Sequence, residues 1–327
     1  MEPPMDKDDA TAEFFDFMVE TVDINELDSL AFEIGVDPDD LDGDTLEERT
    51  RSLLHFLAQR NDLQILDFAL RDLYPVQYGQ EFADDLQEDA QVARGEIPEA
   101  DGYLNEATRI ELVRIPAGPF DYGDLPTEQI ELGGFYISRT PVTNSQYKLF
   151  LDANPDYPVP YIDAEWARPF NWDRDLRLYP IDKVGHPVTL VNWEDALAFC
   201  KWAGMRLPTE QEWEKAARGT DARLFPWGDT EPSPESANFG DDVGQTSEVD
   251  AYPPRRNRSP FGCVDMAGNV WEWTGSWYDL AADHDLGTAR VLRGGAWNSQ
   301  DLELQTFFRL GREPHVREAT IGFRVAK

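Results

Sequence analysis

From Val113 onward no hydrophobic period is sustained for long: short apolar runs are punctuated by Gly and Pro, with only a few well-capped helices between them. What such a chain has to bury is its large aromatics. Trp193, Trp202, Trp213, Trp227, Trp271, Trp273, Trp277 and Trp297 recur through this region, and rings of that size build a core without long helices or strands. The 327 residues suffice for one large core and a smaller one.

Three helices are marked by their first turns. Thr143 caps one, with Gln146 at the third position and Val142 and Tyr147 spaced as a hydrophobic staple. Asn192 opens WEDALAFCKWA, which stops at Gly204, and Thr209 with Glu212 frames EQEWEKAAR, ended by Gly219. VRIPAGPFDYG reads as a strand and a turn, IELGGFYISRTPVT as a second strand, and 220–327 as turn-rich with short strands.

The first third differs. Asp23 and Glu26 form a capping-box pair before Leu27, Leu30, Ala31 and Ile34, with Gly35 as the stop. Asp44 with Glu47 opens a helix whose Leu46, Leu53, Leu54 and Leu57 share a stripe. Asn61 or Asp62 caps a third, with Leu63, Leu66, Leu70 and Leu73 inside and Pro75 closing it, and Phe14, Phe15, Phe17 and Met18 suggest one at the front. Residues 76–107 are polar and acidic with little periodicity.

Charge is uneven. Of the net −35, most lies in residues 1–107, where 30 Asp/Glu face 6 Lys/Arg. Such a field repels nucleic acid and anionic membrane and favours a basic protein partner. A salt-adapted surface is the other reading, since only 6 Lys accompany 23 Arg. No apolar run approaches the ~20 residues that span a bilayer, and the acidic start MEPPMDKDDA does not read as a secretory signal, so a cytoplasmic location is expected. Cys200 and Cys263 are expected to be buried, reduced thiols.

The blocks FYISRTPVTNSQYKLFL, HPVTLVNWEDALAFCKWAGMRLPTEQEWEKAARG, FPWGD, GCVDMAGNVWEWTGSWYD, RVLRGGAWN and IGFRVA occur in the order found in formylglycine-generating-enzyme-like (sulfatase-modifying factor) domains. The resemblance implies an α+β, C-type-lectin-like fold over 113–327, rich in irregular structure. INELDSLAFEIGVDPDDLDGDTLEERTRSLLHFLAQRNDLQILDFALRDLYP resembles effector-associated, death-domain-like adaptors. That implies a small all-α domain over 1–76, coupled to a protein partner, and leaves 77–112 as an acidic linker.

The family's named enzyme oxidises a substrate cysteine with copper held by two cysteine thiolates just after the RGG motif, five residues apart. Carried over by the resemblance, those positions are Ser299 and Leu304, neither a soft ligand for Cu(I), so no copper is expected. A second enzymatic branch binds iron through three histidines from an added helical domain. Here only His186, His284 and His315 lie in the large domain and His55 in the helical unit, with no HxxxHxE pattern. No G-x-S-x-G, P-loop or H-E-x-x-H motif is present.

The resemblance also implies two structural calcium sites built from oxygens. One would use Asn238, the Phe239 carbonyl, Asp250 and the Tyr252 carbonyl; the other Asp265, the Gly268 and Val270 carbonyls and Glu272. Oxygen-only ligand sets suit Ca²⁺, although the same carboxylates can cap turns without metal.

In the last 38 residues a frame of Arg293, Gly294, Gly295, Trp297, Arg309, Pro314, Arg317, Ile321, Gly322, Phe323 and Arg324 fits the family. Between its members stand Ser299, Gln300, Asp301, Glu303, Phe308, Leu310, Arg312, Glu313, His315, Val316, Glu318, Ala319 and Thr320, without shared character. This resembles the variable proteins of diversity-generating retroelements, which mutate adenine-rich codons near the C terminus to vary a ligand face. Gln300, Glu303, Gln305, Glu313 and Glu318 cannot arise from an AAC codon by adenine changes and require other adenine-bearing codons. The expectation is a non-catalytic binder whose C-terminal face, floored by Trp297, takes a protein ligand. The alternative is a formylglycine-generating-type oxidase or accessory enzyme with an altered centre.

Overall fold

The computed structural model describes residues 102–327 except 125, 254–256 and 279–287. In the N-terminal third it describes 15, 18–19, 21–33, 36, 38, 41–43, 45–60 and 66. Phe14, Phe17, the Gly35 stop, the third helix expected up to Pro75 (Leu66 apart) and the acidic stretch 77–101 lie outside the described residues.

In the N-terminal unit, α1 (Ile24–Glu33) and α2 (Leu46–Arg60) pack Leu27, Leu30 and Ala31 with Leu53, Leu54 and Leu57 in one cluster that also holds Met18, Val22 and Leu66. The Asp23–Glu26 box forms reciprocally, at 2.9 and 2.8 Å. The α2 box is made by Thr45 and Glu48, one position later than Asp44 and Glu47. Arg49 donates to Asp28 Oδ1 and to Pro38 O, tying α2 to α1 and the turn between them.

The large domain contains a sheet of β1 (Tyr103–Asn105), β2 (Ile110–Ile115) and β5 (Phe135–Ser138), and a hairpin of β3 (Gly118–Tyr122) and β4 (Glu128–Leu132). Residues 103–112, expected as linker, therefore form a β-hairpin closed by a turn at 106–109: Ile110 and Leu112 point into the core while Glu111 faces out. The runs read as one strand each are broken in two, at Pro116–Ala117 and at Gly133–Gly134. Helices α3 (Asn144–Ala153), α4 (Trp193–Ala203) and α5 (Glu210–Arg218) begin at the expected N-caps, each with a capping box, the one at Asn192 closed by Asp195. Gly204 ends α4 in the left-handed region at φ 65°, which costs a glycine no Cβ clash.

The last sheet holds β6 (Trp271–Trp277), β7 (Arg290–Arg293), β8 (Arg309–Arg312) and β9 (Ile321–Phe323) in the order β8-β7-β6-β9, with β9 parallel to β6. Its inner face meets α3 and α4 through Tyr147, Phe150, Phe199 and Phe323; Phe199 and Phe323 lie edge to face at 5.4 Å. Trp193, Trp213, Trp271 and Trp273 are buried, whereas Trp202, Trp227, Trp277 and Trp297 are half-buried. Among the described residues no helix is long and apolar enough to cross a membrane.

Ion pairs stitch the loops to this core. Arg324, fully buried, donates to both Glu272 oxygens at 2.5 and 2.7 Å, to Ser138 O and to Val264 O. Trp213 Nε1 donates to Glu272 as well, at 2.6 Å. Arg324→Met would leave Glu272 buried without its counter-charge, and urea unfolding should show a loss of about 3–5 kcal/mol. Glu165→Gln, which breaks an exposed pair with Arg168, should change stability by less than about 0.5 kcal/mol.

Candidate functional site

The C-terminal face is set up by β7. Arg293 is buried, pairs with Glu214 at 2.7 Å, and reaches the carbonyls of Thr306 and Phe308 at 3.3 Å. Burial pushes the Glu214 carboxyl above the usual carboxylate range, against the pull of Arg293. Gly294 and Gly295 then turn the chain at φ 96° and 74°. A Cβ on Gly295 would come within 3.1 Å of Glu303 O, so this close approach, as well as the turn, calls for glycine.

Beyond the turn the expected ligand residues divide. Trp297 stacks on Phe170 at 6.5 Å between centroids, and its Nε1 donates to Ala319 O at 3.3 Å. Phe308 lies against Trp271, and Phe308, Leu310 and Val316 pack half-buried on the main core. Arg312 approaches Glu318 at 3.6 Å, Thr320 Oγ1 donates to Glu318, and Trp271 N donates to Thr320 O. These contacts join Trp297, Phe308, Arg312, Glu318 and Thr320 into one half-exposed patch. Glu313 and His315, 3.3 Å apart, stand exposed on the adjoining turn.

Gln300, Asp301 and Glu303 ride instead on a 3-10 turn (Asp301–Leu304) whose Leu304 is buried with Phe225, Ala237 and Phe239. Two residues expected at the ligand face are buried. Ser299 accepts Ala296 N at its hydroxyl and Gly240 N at its carbonyl. Ala319 packs with Ala167, Phe170 and Leu190. The frame has its own exception: Arg309 is exposed, reaching Glu210 at 2.8 Å and lying over the Tyr278 ring.

The two positions implied for copper are both structural. Leu304 is fully buried, and the Ser299 hydroxyl holds its own turn. Cys200 and Cys263 are buried in separate clusters, and burial pushes both thiols up, Cys200 strongly.

The second implied calcium set does not fit an ion. Glu272 has both oxygens occupied by Arg324 and Trp213. Asp265 accepts from Asp250 N and Asn257 Nδ2, and the Gly268 carbonyl accepts Val270 N; burial raises the Asp265 carboxyl pKa. These groups act as a counter-ion and turn caps. The first set is different. Asn238 Nδ2 donates to Gln245 O at 2.9 Å, but its buried Oδ1 has no hydrogen-bond partner. An orphaned buried amide oxygen is chemistry that suits a hard cation, while the Phe239 carbonyl already accepts Asp242 N at 3.3 Å. Asp250, in the left-handed region at φ 58°, is held by Arg139 at 2.9 Å.

Phe170 and Trp271, buried beneath the patch, were not assigned to a binding face by sequence; Phe170 reaches Trp297 and Trp271 reaches Phe308 only through long-range packing. Histidine plays a structural part at His186, whose Nδ1 meets Thr246 Oγ1 at 2.9 Å. Phe308→Ala should cost roughly 1–2 kcal/mol in urea unfolding, about half the penalty of a fully buried Phe. Glu318→Ala should stay within about 0.5 kcal/mol. Neither cysteine should react with iodoacetamide in the native protein at pH 8, and both should react in denaturant, as read by mass spectrometry.

The chain is 30% identical over 281 residues to inactive C-alpha-formylglycine-generating enzyme 2 of Bos taurus, covering 68% of this chain and 90% of that protein. It is 33% identical over 260 residues to hercynine oxygenase of Mycolicibacterium smegmatis, covering 65% of this chain and 60% of the oxygenase. Among solved structures, Treponema denticola variable protein 1 superposes with a TM-score of 0.54 at 23% identity, over 70% of this chain and 99% of that one; that likeness shows the lectin-like fold. Residues 15–75 match effector-associated domain 7. With residues 102–327 matching the sulfatase-modifying factor enzyme 1-like domain, the chain belongs to that family.

Proposed function

We propose that this protein is a non-catalytic binder. The patch of Trp297, Phe308, Arg312, Glu318 and Thr320 receives a protein ligand, and the acidic N-terminal helical unit couples the chain to a second protein. The observation that carries this reading is the fate of the two positions where the family's oxidase holds copper. Ser299 is spent on the backbone of its own turn and Leu304 on an apolar cluster. No thiolate stands at either, and the two cysteines present are buried elsewhere with raised thiol pKa values. Similarity to a relative named as inactive supports the reading; similarity to hercynine oxygenase is the reason to test it.

The patch suits a protein ligand. It combines half-exposed aromatic rings with one Arg–Glu pair, a mixture that favours apolar anchoring with polar orientation. Buried Arg293 and Arg324 and the Gly294–Gly295 turn position it from beneath, so the exposed side chains between them are free to differ without unfolding the domain. A retroelement that diversifies this segment would leave a reverse transcriptase gene and a near-copy of codons 290–325 in neighbouring DNA; ordinary flanking genes would remove that part of the proposal.

Incubation with copper and a cysteine-containing peptide should yield no formylglycine by mass spectrometry. Turnover that survives in a variant with both cysteines replaced by serine would establish the altered-centre enzyme instead. Calcium at the Asn238 site would satisfy the orphaned oxygen. At 100 times Kd an ion adds about 2.7 kcal/mol, or roughly 5–10 °C in Tm for a domain of this size. Asn238→Ala should abolish that shift, and an unchanged midpoint on adding chelator would remove the site.

A further inference from the structure

Between Asp173 and Val184 the polarity of a surface loop is reversed. Leu176, Leu178, Ile181 and Val184 are 68, 48, 96 and 45% exposed, while Lys183 is 3% exposed. Arg177, at φ 55°, turns its guanidinium inward to the carbonyls of Tyr157, Leu151 and Asn154. Lys183 Nζ sits 2.7 Å from Gln245 Oε1 and 5.5 Å from the centre of the Phe170 ring. Tyr179 packs edge-on against Trp172. Burying one cation and half-burying another while leaving four aliphatic side chains in water opposes the ordinary hydrophobic driving force. An arrangement of that kind marks an interaction surface more strongly than scattered exposed leucines do.

The loop is held in this state. Asp173 N donates to Leu178 O, Asp173 Oδ1 accepts Asp175 N and Leu176 N, Ser145 N donates to Val184 O, and Asn144 Nδ2 donates to Lys183 O. Leu176 and Leu178 flank the inward Arg177. Ile181 and Val184 are three apart across the 3-10 turn Ile181–Lys183 and so stand on one side of it.

Charge selects the occupant. Asp173, Asp175 and Asp182 are exposed around the four aliphatics, Asp182 Oδ2 lying 3.8 Å from Lys183 Nζ. The loop's cations are otherwise engaged: Arg177 and Lys183 inside, Arg174 over the Tyr161 ring. A second copy would bring the same net charge of −35 to this acidic rim, which like-charge repulsion opposes. We propose that the Leu176–Val184 loop docks a basic amphipathic segment of another protein, its aliphatic anchors on Leu178 and Ile181 and its Lys or Arg against Asp173, Asp175 and Asp182. None of these residues belongs to the C-terminal patch, so the two proposals stand or fall separately.

The test uses the full chain and two fluorescent peptides of equal charge, one alternating Leu with Lys and one with Ser in place of each Leu, followed by anisotropy at physiological salt. The leucine peptide should bind at least about tenfold more tightly, the scale of one well-placed anchor. Leu178→Ser with Ile181→Ser should abolish that preference without moving Tm, whereas Arg312→Ala should keep it. Equal binding of the two peptides by the wild type, or a preference that persists in the double variant, would overturn the proposal. So would a dimer, seen by sedimentation, that the double variant dissolves, since the face would then belong to a second copy.

Discussion

The buried Arg324–Glu272 pair is the interaction on which the large domain depends. Arg324 follows β9 and Glu272 lies on β6, strands that run parallel and adjacent. The same guanidinium reaches Ser138 at the end of β5 and Val264 in the loop before β6, and Glu272 takes the Trp213 indole from α5. A charge pair is tolerated at full burial only when its remaining donors and acceptors are met. Here carbonyls from turns meet them, so satisfying the charge and fixing the irregular backbone are one event.

Arg293 repeats the pairing at the next strand, with its buried Nε left without a hydrogen-bond partner. Its pairing with Glu214 and its reach to the carbonyls of Thr306 and Phe308 hold the segment leaving the Gly-Gly turn. Arg206 with Glu212, a bidentate pair at 2.6 Å, does the same beside the α5 cap. Because the frame is carried by buried arginines and two glycines, the exposed side chains Glu313 and His315 bear little of the fold, while Phe308, Leu310 and Val316 lean on the core. A scaffold built this way gives over to the fold the positions where the family's oxidase holds thiolates. Ser299 and Leu304 illustrate it: both are absorbed into turn and core.

Features set by local chemistry were legible in the sequence. The N-caps at Thr143, Asn192 and Thr209 and the stop at Gly204 involve partners three or four positions apart, and the order of the aromatic blocks carried the family. Reading failed where the deciding partner was distant. Residues 103–112 look like linker until β5 pairs with β2 and completes a three-stranded sheet around their hairpin. Glu272 looks like a calcium ligand until Arg324 arrives from 52 positions away. Ser299 and Ala319 lie among variable-looking neighbours, yet the 240 loop and Leu190 cover them.

The sequence by itself determined that this chain has helices with fixed ends, an aromatic core, the lectin-like family frame, and no cysteine at the positions that hold copper in the family's oxidase. Each follows from residue type and short-range spacing. Only the tertiary structure decided which polar groups are consumed by the fold and which remain to meet a partner. Arg177 and Lys183 turn inward while Leu178 and Ile181 turn out, and Asn238 keeps an oxygen unbonded while Glu272 does not. Burial and saturation are properties of contacts made across the whole chain, and in a domain with little regular structure no local period announces them.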